Sequence, residues 1–454
     1  MNEPNTAAAP KRQLNLFDTI CIIVGIVIGT GIYETTPSIA TAAPSSMMLI
    51  GMWVAGGLLS LIGALCYAEL ASAYPESGGD YVFLTRSYGQ PMGFLFAWSE
   101  FFVVRTGNVG LMAIIFGRYA TQLLPLNIHV DYPHYDHLVY AALATIGLTT
   151  TNILGVQVGK TTQNILTSVK VVALGGIFVF AMTYRGEQPP PGDPPSFKFT
   201  MFTAMVLVFF TYGGWNEMSF VAAEVKDPQR NIIRSLVGGT LLITAIYVAM
   251  NLAFVHVMGL EGLRNSKAIA ANLMTVTTGP IGAKFVSLLV CLSCLGAING
   301  MLFTGARIFY ASGQGHPIAK ILGKWNAHFD SPVRSLVGQC IVTLTLLGTL
   351  GLFANGFNRL VIFTSPVFWL FKFLVAISIF ILRVRDPKAL RPKFALFPLL
   401  PIIFAATCVF VIYSAITYAY SNANYDAFVA FGLVALGIPF AFLSLRVKAT
   451  SVSK

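Results

Sequence analysis

Charge is what this chain has least of. Only 10% of its 454 residues are Asp, Glu, Lys or Arg, where an ordinary soluble domain has roughly a quarter. So few ionic groups cannot solvate the surface of a soluble protein of this length. Cysteine is also scarce. The six present (Cys21, Cys66, Cys291, Cys294, Cys340, Cys408) all fall inside apolar stretches, so no disulfide framework is indicated. Cys291 and Cys294 make a CxxC with no His pair beside it, which reads as two small packing residues rather than a redox or zinc motif. The six histidines neither cluster on one helix nor accompany acids in a pattern such as HExxH, and no nucleophile and base stand at workable spacing. An enzyme and a metal or cofactor site are therefore not expected. Low-complexity sequence is confined to the head, residues 1–10, and to "QPPPGDPPS" at 188–196; no appended soluble signalling domain is expected, which counts against a non-transporting sensor.

What the chain has instead is apolar sequence. Hydrophobic residues make up 56% of it and the mean hydropathy is +0.72. A bilayer core of about 30 Å needs roughly 20 mainly apolar residues per helical span. Twelve such stretches can be placed, at 16–40, 47–73, 92–122, 137–155, 162–183, 200–221, 233–257, 282–310, 334–353, 358–382, 396–418 and 427–445. The net charge of +11 follows topology rather than marking a nucleic-acid partner. With twelve spans, one side collects Lys11, Arg12, Arg86, Lys160, Lys226, Arg230, Arg234, Lys320, Lys324, Arg334 and the basic residues after 382, while the other holds chiefly Arg185, Lys198, Arg264 and Lys267. The positive-inside rule puts both termini in the cytoplasm. The first span is too long for a signal peptide and lacks its cleavage pattern, so it is expected to stay in the mature protein.

Two of the spans are interrupted. The first reads "IIVGIVIGTGIYETTPSIA" and carries Gly25, Gly29 and Gly31, then Glu34 and Pro37; the sixth has Gly213 and Gly214 in its middle, followed by Trp215, Asn216 and Glu217. Each broken span opens a block of five. Because five is odd, the second block enters from the opposite face, as in transporters built from inverted repeats. Unpaired backbone groups in hydrocarbon cost several kcal/mol, so unwinding survives only where it faces protein or a cavity. Freed N–H groups suit a carboxylate and freed carbonyls suit an ammonium, and glycines let both backbones approach a small zwitterion. Against this, Gly25 and Gly29 also form GxxxG, a common helix-packing face.

"GIVIGTGIY" resembles the unwound G-S-G-I-F segment of the amino acid, polyamine and organocation (APC) superfamily. Four stretches are similar to its L-type amino acid transporter (light-chain) branch: "YAELASAYPESGGDYVF" (67–83), "FTYGGWNEMSFVAAEVKDPQRNIIRSL" (210–236), "GAINGMLFTGARIFYASGQGHP" (296–317) and "LRVRDP" (382–387). The resemblance implies an all-α membrane protein with the LeuT-type fold. Its parts would be a tail (1–15), a first repeat (16–183), an outward loop (184–199), a second repeat (200–382), two further helices (383–445) and a second tail (446–454). It also implies sodium-independent transport of neutral L-amino acids, often by exchange. Carried over by position, Thr30 and Gly31 would offer N–H groups to the substrate carboxylate. Carbonyls of Val27, Phe210 and Gly213 would accept from its ammonium, Phe210 would gate the site, and Ile28, Gly29, Tyr212 and Gly214 would complete its wall. Lys170 would stand in for a sodium ion by bridging the first and eighth helices. Read from its spacing alone, Lys170 is equally a residue snorkelling to the interface, and as a buried amine it is also a candidate proton carrier in a symporter.

The remaining intramembrane charges carry less. Arg105 and Glu100 are five apart and so are not expected to share a helical face as an i,i+4 pair would. Arg105 is read as structural, Glu217 as a cap for the second half-helix with Asn216, and Glu224, Lys226 and Asp227 as a solvated loop in preference to a gate network. Lys372 is open between packing and snorkelling. Tyr33 and Glu34 depart from the family pattern and leave side-chain specificity open. The loop after helix 3, "LPLNIHVDYPHYDH" (124–137), lacks the cysteine with which eukaryotic light chains bond a heavy chain. A stand-alone protein of a bacterial inner membrane is expected.

Overall fold

The computed structural model describes residues 10–126, 134–188, 201–266, 269–352, 356–392, 396–421 and 425–452. Most of the Pro-rich segment, the first nine residues, His129 and the last two residues lie outside them. Helices account for nearly all of the described chain, and the only β pairings among the described residues are isolated bridges.

The first predicted span is three helices in series: α1 (Leu16–Val27), α2 (Gly31–Glu34) and α3 (Thr36–Ala42). A capping box starts α1. The Asn15 side chain accepts from the Asp18 N–H and the Asp18 carboxylate accepts from the Asn15 N–H, both at 2.9 Å. Helix α4 (Ser46–Ala73) is capped by Ser45. Helices α5 (Asp80–Tyr88) and α6 (Gln90–Ser99) follow, and α6 runs through a π-helical turn, Glu100–Val104, into α7 (Arg105–Leu123). Then come α8 (His134–Ile153) and α9 (Val156–Thr183).

The sixth predicted span divides into α10 (Met201–Tyr212) and a 3₁₀ segment (Trp215–Glu224). Gly214 separates them at φ 109°, in the left-handed region where a side chain is strained. The chain continues as α11 (Pro228–Arg264), α12 (Ile269–Thr278), α13 (Pro280–Gly315), α14 (Val333–Leu347), α15 (Gly356–Arg385), α16 (Leu399–Ser421) and α17 (Asp426–Val452). All twelve predicted spans fall on helix. Nine described helical stretches are long and apolar enough to cross a membrane; the fourth and ninth spans, α8 and α14, and the broken sixth are shorter or less apolar. Helix α12 was not expected. It is a ten-residue apolar helix, too short to cross, inserted between the seventh and eighth spans.

Burial separates an inner from an outer set. In the first span 78% of the most apolar window is buried, against 28% for α9 and for α17. The first span is therefore central, with α1 packed on α9, α11, α13 and the 3₁₀ segment. Outer helices turn Val172, Val179 and Phe442 away from the protein, as helices apolar all round do in lipid. The two breaks meet at the centre. A Cβ built on Gly31 would lie 2.7 Å from Thr211 Cγ2, so α2 and α10 touch where only glycine fits.

Candidate functional site

A cavity lies where the two broken helices meet. It offers about 100 Å³ to the centres of water-sized molecules, room for several waters or a small solute. Val27, Gly29, Thr30, Gly31, Phe210, Gly213 and Gly214, all expected from sequence, line it. Ile28 and Tyr212 do not. Ile28 is fully buried and its carbonyl accepts from Lys170, while the Tyr212 hydroxyl donates to the Trp53 carbonyl at 2.9 Å.

The rest of the wall was missed in the sequence. It comprises Ile26 from α1, Asn108, Leu111 and Met112 from α7, Thr211 from α10, Met301 from α13, Glu217, and Thr364, Ser365, Phe368 and Trp369 from α15. The α15 group carried one signal. Pro366 inside an apolar span leaves a backbone carbonyl unpaired one turn earlier, which marks a place where irregular backbone is tolerated.

The backbone accounting around the breaks is uneven. The Thr30 and Gly31 N–H groups donate to no carbonyl outside their own short helix among the described residues, whereas Gly29 N–H donates to Val27 at 2.8 Å. The Val27 carbonyl also accepts from the Tyr247 hydroxyl at 2.8 Å. Two donors occupy both of its lone pairs, so Val27 lines the cavity with no acceptor to spare. Among the described residues the Phe210 carbonyl accepts only from Gly213 N–H, at 3.1 Å. Tyr247 ties the two breaks together, donating at 2.8 Å to Val27 and at 3.1 Å to Thr211.

Lys170 is fully buried on α9. Its Nζ donates to the Ile28 carbonyl at 2.6 Å, to Gly25 at 2.9 Å and to Ser293 at 3.2 Å. All three ammonium hydrogens thus meet carbonyls of α1, the residue just after it, and α13. Gly25 is pressed against α9, where a Cβ would lie 2.1 Å from Gln163 Nε2, so this glycine serves close packing. Glu34 accepts from the Tyr119 hydroxyl at 3.0 Å and is not among the cavity residues.

Four expectations about charge are corrected. Arg105 and Glu100 do pair, Nε to Oε2 at 3.3 Å, because the π-helical turn places residue 105 over residue 100; its N–H donates to the Glu100 carbonyl. Glu217 is no cap. Its Oε2 accepts from Arg105 Nη1 and from the Thr304 hydroxyl, both at 2.6 Å. Glu224 is not solvated: it is fully buried and holds Arg307 at 2.7 and 3.1 Å. Lys372 neither snorkels nor merely packs, and pairs with Asp80 at 2.8 Å. Its Nζ also donates to the Tyr67 hydroxyl at 3.2 Å.

At the end of the molecule near Asn15, the strap before α1 closes over the 3₁₀ segment. Gln13 and Leu14 N–H both donate to the Glu224 carbonyl, at 2.8 and 2.9 Å, and Lys226 N–H donates back to Leu14 at 2.8 Å. Lys160 joins Asp18 at 3.2 Å. Among the described residues, no group of three or more His, Cys, Asp or Glu is arranged to hold a metal ion, and all six cysteines are buried and free.

A cavity between two broken helices, lined by their exposed backbone, is the observation against which similarity to known proteins can be set. The sequence model of the amino acid permease family matches residues 14–438. The chain belongs to that family. Relatives of this permease include the "b(0,+)-type amino acid transporter 1" of Homo sapiens, 28% identical with 98% of this chain and 90% of the relative covered. Another is the "Large neutral amino acids transporter small subunit 2" of Mus musculus, 30% identical with 88% of this chain and 76% of the relative covered. The permease is therefore a multi-pass membrane protein of the APC superfamily whose relatives are amino acid transporters.

Proposed function

We propose that this permease carries neutral L-amino acids across a membrane by alternating access, without sodium, as an exchanger. The observation that carries the reading is the cavity at the junction of the two broken helices. Thr30 and Gly31 present N–H groups that make no bond beyond their own short helix, suited to a carboxylate, and across from them Phe210 and Gly213 supply carbonyls suited to an ammonium. Lys170 supports sodium independence, because its ammonium occupies the carbonyls of Gly25, Ile28 and Ser293 that a bound cation would need. Among the described residues, the only ionisable side chain in the cavity wall, Glu217, is held by Arg105, which favours a neutral substrate side chain. Phe210 would gate the site. The blocks 16–183 and 200–382 would act as the two inverted repeats, rocking around a midplane site.

In the same reading the strap, Lys160 and Arg307 seal the cytoplasmic end, both termini are cytoplasmic, and the protein works in a bacterial inner membrane without a disulfide-linked heavy chain. The test is uptake of labelled alanine, serine and leucine into sodium-free proteoliposomes, empty or preloaded with unlabelled amino acid, with and without an inward proton gradient. Exchange predicts uptake only into loaded vesicles, indifferent to the gradient. Gradient-driven accumulation in empty vesicles would replace exchange with proton symport.

A further inference from the structure

Beneath the cavity, three ion pairs on two cations form one buried cluster around the ring of Phe220. The Arg105 guanidinium lies 5.1 Å from the ring centroid and the Lys372 ammonium 5.7 Å. Arg105 holds Glu217 at 2.6 Å and Glu100 at 3.3 Å; Lys372 holds Asp80 at 2.8 Å. The groups that face Glu100 are thus Arg105 and Lys372 among the cations, Glu217 and Asp80 among the acids, and the Tyr67 phenol. All are at least nine-tenths buried. Three carboxyl groups stand against two cations. An uncompensated carboxylate here would be a net charge inside the membrane, which is strongly disfavoured.

The surplus has an identifiable place. Asp80 Oδ2 accepts from Lys372 and from the Tyr67 hydroxyl at 2.9 Å. Glu217 accepts from Arg105 and Thr304, both short. Among the described residues the Glu100 carboxyl has a single hydrogen bond, the longest of the set. A second sign of incomplete compensation is Asp80 Oδ1, which is buried and makes no hydrogen bond. We propose that this cluster binds one exchangeable proton, carried on the Glu100 carboxyl. Arg105 lies between Glu100 and Glu217, so the proton decides how it is shared. With Glu100 neutral, Arg105 stays on Glu217 and the cavity wall is uncharged. When Glu100 ionises, Arg105 is drawn toward it, and Glu217 presents negative charge to the cavity. The cluster is thereby a pH-sensitive element next to the site, separate from Lys170.

The proton can be sought directly, with no substrate and no assumption of transport. A protonated carboxyl has an infrared carbonyl stretch that a carboxylate lacks. Spectra of the purified full-length protein over a pH series are expected to show such a band at neutral pH, lost in Glu100→Gln. It is also expected to be lost in Glu217→Gln, where removing one acid abolishes the surplus and lets Glu100 ionise against Arg105. Absence of the band in the wild type at every pH where the protein is folded would overturn the proposal. So would a band that survives Glu100→Gln but disappears in Asp80→Asn, and so would one unchanged in Glu217→Gln. An unchanged band in Glu217→Gln overturns the proposal even if Glu100→Gln fails to fold.

Discussion

Arg105 Nε lies 3.3 Å from Glu100 Oε2, a pairing of residues five apart that a regular α-helix does not make. The π-helical turn at Glu100–Val104 is what allows it. It lets one guanidinium hold an acid of its own helix and, at 2.6 Å, Glu217 of the broken sixth span.

Arg105 is accordingly expected to be a keystone of stability. Arg105→Ala strands the buried Glu217 carboxylate and takes from the Glu100 carboxyl its contact, and breaking a buried pair by removing one partner costs about 3–5 kcal/mol. Arg105→Lys should recover only part of this, since an ammonium cannot spread over both acids as the planar guanidinium does. Thermal unfolding of detergent-solubilised protein checks the order wild type, Lys, Ala. An Arg105→Ala variant as stable as the wild type would mean that the pair contributes nothing net.

The spans were legible because a run of some twenty apolar residues with few charges has few alternatives, and the two breaks were legible because glycine followed by a polar residue is out of place in such a run. The glycines were correctly located and only partly explained. Gly25 packs against Gln163, and Gly31 leaves room for Thr211; which neighbour a missing Cβ spares depends on contacts more than a hundred residues away. The ion pairs were illegible for the same reason. Glu224 finds Arg307 and Lys372 finds Asp80 across separations that spacing along one helix cannot reveal. Asn108, Met112 and Thr364 reach the cavity from spans whose patterns resemble those of purely structural helices.

Lys170→Ala is expected to reduce amino acid transport at least tenfold. The substitution leaves the Gly25, Ile28 and Ser293 carbonyls without their donor, and an unsatisfied buried polar group costs about 1–3 kcal/mol each. The chain between α1 and α2 should then lose its fixed course, and with it the position of Thr30 and Gly31. Initial rates in proteoliposomes, measured with substrate on either face, check this. Unchanged kinetics on both faces would reduce Lys170 to a packing residue.

Gly31→Val should lower substrate affinity through the neighbouring helix. A Cβ at this position would already stand 2.7 Å from Thr211 Cγ2, and overpacking of this kind costs about 1–3 kcal/mol. Gly31→Ala should be milder than Gly31→Val, and Thr211→Ser, which removes the closest atom, should restore part of the loss in Gly31→Ala. Binding of a labelled amino acid to the purified variants measures the series. If the second substitution restores nothing, the glycine is required for the ligand itself rather than for the contact between α2 and α10. Gly29→Ala offers an internal comparison, because the tightest contact of its Cβ would be Met112 Sδ at 3.3 Å, the far end of a flexible side chain, with Met112 Cε and the Ile26 carbonyl at ordinary contact distance.

The strap provides the last prediction. Leu14 is fully buried where it pairs with Glu224 and Lys226, and Glu224 is itself fixed by Arg307. A cysteine placed at position 14 should therefore be shielded from a water-soluble thiol reagent. The six native cysteines give little background, being buried. Arg307→Ala unpairs Glu224 and weakens the strap, so labelling at position 14 should accelerate about tenfold for each ~1.4 kcal/mol lost by the closed state. A saturating substrate that favours the closed end should slow it again. Labelling equally slow with and without Arg307 would show that the strap is held by its backbone bonds alone, and that the buried pair is not part of the seal.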